Sequence, residues 1–295
     1  MSIRLALAQW TIGAPHDFAE FAARVTAEIA KAAAAGARIV VLPEYLALEL
    51  ASTFAAEIRA DIVATLTGLQ PLHEAWAALF GTLAREHRIH LLAGTFLCAQ
   101  PNGRFRNRAH LFAPDGGAAF QDKLTLTAFE KHVGVIEPGD ELRVFDTEFG
   151  RVAINVCYDA EFPLYARAQR EAGARLLLVP SCTDTEAGAT RVRVGCMARA
   201  LENRFYVAQS VTAGAAPENP ALDMNTGNAA VYAPSDRGLP ANGVLALAPA
   251  GQTWTIVDVD LDLLEATAGD AQVTVPDDWH AQTRAAVVRA RVEKI

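Results

Sequence analysis

Apolar residues along this chain fall into short unbroken runs that alternate with longer segments in which they recur every three or four positions. IRLALAQW (3–10) reads as a strand, and DFAEFAARVTAEIAKAAAAG (17–36) as an alanine-rich amphipathic helix closed by Gly36. RIVVLPE (38–44) is apolar up to its proline, the pattern of a strand buried on both faces. Helical spacing returns at 52–66 and 71–87, then a strand, IHLLAGTFL (89–97), and RAHLFAPDG (108–116), a strand running into an Asp-Gly turn. A loop is expected around 121–140, and strands at 142–147 and 151–157 flank Phe149-Gly150. Next come a helix over 163–173, the strand RLLLVPS (175–181) and a helix over 190–203. FYVAQSVT (205–212), AAVYAPS (229–235), GVLALAP (243–249) and WTIVDVDL (254–261) read as further strands, and a helix near 277–294 closes the pattern.

Two of these units echo each other. GARIVVLPE (36–44) and GARLLLVPS (173–181) share a helix-ending glycine, Ala-Arg, an apolar run, then proline and a polar residue. Glu44 and Ser181 therefore stand at the carboxyl ends of buried strands, where α/β folds place ligands and chemistry. The repeat predicts two sheets related by pseudo-symmetry, each covered by helices on its outer side.

Composition narrows the classes. With 52% hydrophobic and 20% charged residues, the 295-residue chain has material for a large core. No linker or composition break divides it, so one domain over 1–295 is expected. A net charge of −8 without a basic block argues against nucleic acid or an anionic membrane as partner. Cys98, Cys157, Cys182 and Cys196 show no paired spacing, which fits a reducing compartment rather than a disulfide framework. No run has the length of a signal-peptide core or a membrane span, so a cytoplasmic protein is expected.

The candidate chemistry centres on RVAINVCYDAEFP (151–163), where an apolar run ends at Cys157 and Pro163 opens a helix. A thiol on such a strand-to-helix turn faces backbone N–H groups, an arrangement expected to lower its pKa and to hold an oxyanion. Glu44, after Pro43 at the end of an apolar strand, is a candidate general base, since burial raises a carboxyl toward neutrality. Lys123 in FQDKLTLTAFEKHVG can supply fixed positive charge for an oxyanion, and Glu130, seven residues on, can orient that lysine. GxSxG, HExxH, GxxxxGK[ST] and GxGxxG are all absent. The seven histidines are dispersed and none stands at metal-ligand spacing to another, so neither a metal nor another cofactor is expected. A cysteine nucleophile would then take a glutamate as its base.

With Glu44, Lys123 and Cys157 in that order, the chain resembles the nitrilase, or carbon–nitrogen hydrolase, superfamily. The likeness runs through VLPE (41–44), DKLTLTAFE (122–130), NVCYDAEFP (155–163) and ARALENRFYV (198–207). It implies a four-layer α-β-β-α sandwich, association as a homodimer or higher homo-oligomer, and amide hydrolysis through a thioester. ELRVFDTEFGRVAINVCYDAEFP and VPSCTDTEAGATRVR look most like a bacterial amidohydrolase-like branch often fused to an acetyltransferase domain; the hydrolase is expected to use up these 295 residues. Thr125 stands where the family often has histidine two residues after the lysine, and Leu164 where glutamate usually follows the FP pair.

The expected substrate is a small linear amide or carbamoyl amide. Glu44, Lys123, Cys157 and Glu130 would be catalytic, with the backbone N–H of Tyr158 completing the oxyanion site. Tyr45, Phe129, Tyr158, Glu161 and Cys182 would line the substrate pocket, Glu161 facing a cationic substrate group or favouring a helix N-terminus. Cys98 and Cys196 read as core filler, Asp159 and Arg199 as structural, and AGAAPENPALDMNTGN (213–228) as a pocket-edge loop. Nitrile hydrolysis by the same groups and an idle interaction module that kept the fold are the competing readings.

Overall fold

The computed structural model describes residues 2–249 and 251–294. The first strand, β1 (Ser2–Thr11), shows the logic of the whole fold. Its side chains alternate between faces, so Ile3, Leu5 and Leu7 enter one apolar cluster while Ala6, Ala8 and Trp10 enter another. Helix α1 (Phe18–Ala34) is capped by Asp17, whose side chain accepts the Glu20 amide, and packs Phe21, Val25, Ile29 and Ala32 onto the second cluster.

Strand β2 (Ile39–Leu42) divides in the same way, Ile39 and Val41 to one side and Val40 and Leu42 to the other. The helix expected over 52–66 is three pieces: a 3-10 helix (Leu46–Thr53), α2 (Ala56–Arg59) and α3 (Ile62–Leu69). The break has a local cause, because the Asp61 carboxylate accepts the Val63 and Ala64 amides and starts a new helix. Helix α4 (His73–His87) follows the expected 71–87 segment.

Strands β3 (His90–Ala99), β4 (Phe105–Phe112) and β5 (Ala118–Asp122) form an antiparallel meander. The expected loop around 121–140 thus begins inside a strand and contains helix α5 (Ala128–Val133). Strands β6 (Val144–Thr147) and β7 (Gly150–Ile154) are a hairpin, followed by α6 (Pro163–Glu171), β8 (Leu176–Ser181), α7 (Glu186–Asn203) and β9 (Tyr206–Ala215). The short β10 (Met224–Asn225), β11 (Ala230–Tyr232), β12 (Val244–Leu247) and β13 (Trp254–Asp260) lead to α8 (Leu261–Ala266) and α9 (Val275–Asp278). The helix expected near 277–294 is confined to α9 and a 3-10 turn at Trp279–Thr283. Val287, Val288 and Val292 stay exposed, so that segment has no apolar stripe to bury.

The strands make two halves. One runs β5-β4-β3-β2-β1-β13 and the other β6-β7-β8-β9-β11-β12, with β1 crossing from β2 to β9 along its length. Each half has parallel pairs at its centre and antiparallel pairs outside them. One apolar cluster gathers residues of both halves and α7, and the other lies between the first half and α1, α3 and α4. This is the expected α-β-β-α sandwich. The sequence echo is a structural one: Arg4 donates to the Ala35 carbonyl before β2, and Arg151 to the Ala172 carbonyl before β8. Among the described residues, no helix is long and apolar enough to cross a membrane.

Candidate active site

Strand β2 ends at Leu42, and the chain turns sharply at Pro43-Glu44. What fixes the turn is a bulge in the neighbouring β3, where Gly94 (φ +72) lets the backbone approach. A Cβ at Gly94 would stand 2.1 Å from the Pro43 carbonyl oxygen, so a side chain has no room there. Thr95, next to that glycine, accepts the Tyr45 amide at 2.8 Å. Tyr45 itself adopts φ +62, and Glu44 is 1% exposed, aimed inward.

The ion cluster closes around Lys123, which follows β5 and is 2% exposed. Lys123 Nζ donates to Glu44 Oε1 at 2.8 Å and lies 2.9 Å from Glu130 Oε2. Glu130 is held from two sides. It is the third residue of α5, where a capping box binds it to Thr127, and its Oε1 accepts the Tyr45 hydroxyl at 2.6 Å. Glu44 Oε2 accepts the Cys182 amide at 3.0 Å.

Cys157 lies in the same space. Strand β7 stops at Ile154, three residues earlier than the apolar run suggests, and Cys157 opens a 3-10 turn (Cys157–Glu161) at φ +49. Left-handed geometry at a non-glycine residue costs about 1–3 kcal/mol, and it lifts the sulfur off the sheet. The turn is anchored by the buried Asp159 carboxylate, which accepts the Leu124, Thr125 and Val156 amides. One side chain thereby ties the cysteine turn to the lysine segment. Cys157 Sγ donates to the Cys182 carbonyl at 3.5 Å.

Electrostatics follow from burial. Desolvation raises the Glu44 carboxyl, with Lys123 opposing and Glu130 adding to the rise. Burial acts against the Lys123 ammonium, but Glu44 and Glu130 outweigh it and leave its pKa well above the usual lysine value. Glu130 is also desolvated, yet Lys123 and the Tyr45 hydroxyl bring it below the ordinary carboxylate range. The Cys157 thiol is pushed well up, by burial and then by the Glu44 charge, with Lys123 opposing. This corrects the expected lowered thiol: burial and the neighbouring Glu44 carboxylate both act against the charged sulfur. At rest the sulfur carries its proton.

The cluster opens into a cavity of about 440 Å³. Tyr45, Phe129, Tyr158, Glu161 and Cys182, the expected substrate-pocket residues, all line this cavity. Leu222 and Met224 come from the 213–228 stretch, which does form a pocket edge. Glu161 has a charge partner within the protein, Arg191 on α7, 3.7 Å away, so a cationic substrate group is not needed to explain it. Burial raises the Cys182 thiol to about 12, which suits a wall rather than a nucleophile. Arg199 donates to the Ala160 carbonyl and pairs with Glu202, supporting the cysteine turn from α7. Thr125 bonds the Tyr165 hydroxyl at 2.9 Å, and Leu164 lies 69% exposed, so neither departure from the family pattern enters the ion cluster.

Sequence reasoning missed Asn107. Its Nδ2 donates to Glu44 Oε1 at 2.8 Å and to Glu130 Oε1 at 3.3 Å, and its carbonyl accepts the Lys123 amide. The signal was in the alternation of FRNRAHLF: Asn107 occupies the phase of Ala109 and Leu111, a polar residue on the apolar face of a strand. Arg191 was missed because only the packing of α7 brings it to Glu161.

Three comparisons bear on this geometry. The chain is 32% identical over 263 residues to the probable hydrolase YhcX of Bacillus subtilis (strain 168), a match covering 89% of this chain and 50% of that protein. It thus spans about half the length of that relative. It is 29% identical over 270 residues to the human omega-amidase NIT2, covering 89% of each. The crystal structure of Saccharomyces cerevisiae Nit3, a member of branch 10 of the nitrilase superfamily, superposes with a TM-score of 0.73 at 21% identity, over 92% of this chain and 95% of that one. The carbon-nitrogen hydrolase family model matches residues 4–268, and with a sandwich that places Glu44, Lys123 and Cys157 around one cavity, the chain belongs to the carbon-nitrogen hydrolase family.

Proposed function

We propose that the protein hydrolyses a small linear amide or carbamoyl amide through a thioester on Cys157. One observation carries this: two carboxylates and an ammonium, each at most 2% exposed, form one cluster, and its Glu44 and Lys123 line the cavity together with the Cys157 thiol. Such a buried cluster contributes little net stability, because desolvation offsets its attraction, so its residues need a functional reason to be there. The omega-amidase relatives, acting by their names on amides, support the same class.

The proton inventory dictates the order of events. Cys157 starts as a thiol, so its proton passes to Glu44 as the sulfur attacks the amide carbon. The tetrahedral oxyanion rests against Lys123 Nζ and the backbone N–H of Tyr158. Collapse breaks the C–N bond while Glu44 returns the proton to the departing ammonia or amine, leaving a thioester. Glu44 then deprotonates a water, and hydrolysis of the thioester releases the carboxylic acid and regenerates the thiol. Glu130 holds Lys123 in place and charged throughout. Tyr45, Phe129, Tyr158, Glu161 and Cys182 shape the cavity around the acyl chain. A homodimer or higher homo-oligomer in the cytoplasm is the accompanying proposal.

The test is ammonia release across a panel of primary amides, ureido acids and nitriles, with intact-mass detection of the acylated protein. The reading requires turnover of at least one amide or ureido acid, an adduct on Cys157, and loss of both in a folded Cys157→Ala protein. Turnover of nitriles alone would put nitrile hydrolysis in its place, and no turnover of any member would favour an idle module.

A further inference from the structure

On the far face of β4 from the catalytic cluster, three ligand-type side chains from three elements meet. His73 opens α4, Cys98 is on β3 and His110 on β4. His73 Nε2 lies 3.3 Å from His110 Nε2 and 3.6 Å from Cys98 Sγ, and the three atoms are all within 4.8 Å of one another. From these distances we infer that His73, Cys98 and His110 form a binding site for a borderline-soft divalent metal ion, Zn²⁺ by its geometry.

The argument is metric. Zinc bound tetrahedrally, with Zn–N about 2.0–2.1 Å and Zn–S about 2.3 Å, sets its nitrogens about 3.3–3.4 Å apart and sulfur about 3.6 Å from nitrogen. Two of the three edges already have those lengths, and the third is no longer than 4.8 Å. Tautomer control points the same way. His110 Nδ1 lies 3.2 Å from the Arg108 carbonyl on its own strand, so Nδ1 carries the hydrogen and the Nε2 lone pair faces the cluster. The nearby Arg108 charge is compensated by Asp122, which it meets through two bonds of 2.7 and 3.0 Å.

Cys98 is buried, and His73 and His110 are each partly exposed as residues. Binding takes the thiol proton of Cys98 to solvent and forms the metal–thiolate bond, with no change of oxidation state. The ion would clamp α4 to the β3-β4 pair. Because alternation along β4 turns Asn107 to the catalytic side and His110 to the other, the site is separate from the Cys157 cavity.

The test is titration of the chelator-stripped full chain with Zn²⁺ against a chromophoric competitor, and with Co²⁺ for a thiolate-to-cobalt charge-transfer band. The expected result is one metal per chain, a cobalt band present in wild type and Cys157→Ser and absent in Cys98→Ser, and binding weakened at least about tenfold in His73→Gln and His110→Gln. Unfolding curves of each metal-free variant separate lost ligation from lost fold, and the Cys157→Ser and His73→Gln proteins keep the test decisive if Cys98→Ser fails to fold. No uptake at millimolar Zn²⁺, or binding that disappears in Cys157→Ser and persists without His73, would overturn the site.

Discussion

Asn107 Nδ2 lies 2.8 Å from Glu44 Oε1, inside a space that admits almost no solvent. The same amide reaches Glu130 Oε1, so one neutral donor serves both carboxylates that flank Lys123. Asn107→Ala leaves them short of a donor, at a cost of about 1–3 kcal/mol, or roughly fivefold to 150-fold. The expected outcome is a fall in kcat larger than any rise in KM. Removing a bond to the charged form also raises the Glu44 carboxyl further, so the acid limb of kcat/KM moves to higher pH. A pH–rate profile of the variant checks both.

The resting thiol gives a second prediction. Because burial and Glu44 raise Cys157, thiolate absorbance should stay flat through neutral pH and grow only above about 8.5, the ordinary thiol range. The acid limb of kcat/KM should lie above the ordinary glutamate value of about 4.3, since activity needs Glu44 ionised and burial raises it. Ultraviolet titration of wild type against Cys157→Ser isolates the thiol. A thiolate already present at neutral pH would remove the need for a proton-accepting Glu44.

Lys123 is the sole cation in contact with Glu44 and Glu130 among the described residues. Lys123→Met strands two buried carboxylates and should cost about 3–5 kcal/mol at neutral pH. Without the ammonium, both carboxyls have folded pKa values above their unfolded ones. Their stabilising contribution is then full below the unfolded values and is lost as pH rises through the folded ones. The deficit should therefore shrink on acidification toward pH about 4. Urea unfolding of variant and wild type at several pH values reads the difference.

Gly94→Ala tests how far the base depends on the bulge beneath it. The new Cβ, 2.1 Å from the Pro43 oxygen and at φ +72, must push Pro43-Glu44 away. A loss of about 1–3 kcal/mol in stability is expected, with a fall in kcat that Gly81→Ala should not match. Gly81 lies on α4, and its Cβ would meet only ordinary contacts, the nearest the Phe112 side chain at 3.5 Å.

The sequence by itself determined a good deal. Local burial patterns are written in the chain, so the central strands, the long helices α1, α4 and α7, and the matched units before β2 and β8 were all legible. So were Glu44, Lys123, Cys157 and Glu130 as a set, through the family likeness. Segments governed by short-range competition were not: Asp61 breaks a helix that periodicity would continue, and the valines after Thr283 lack a surface to bury against. Only tertiary structure decided which side chains share a dielectric. The protonation of Cys157 depends on its depth and on Glu44, which is distant along the chain. The roles of Asn107 and Asp159, and the meeting of His73, Cys98 and His110, depend on strand register and on the angle of α4. Sequence periodicity tells which face a residue occupies, but charge, tautomer and ligation depend on distances of a few ångströms, and packing between elements sets those.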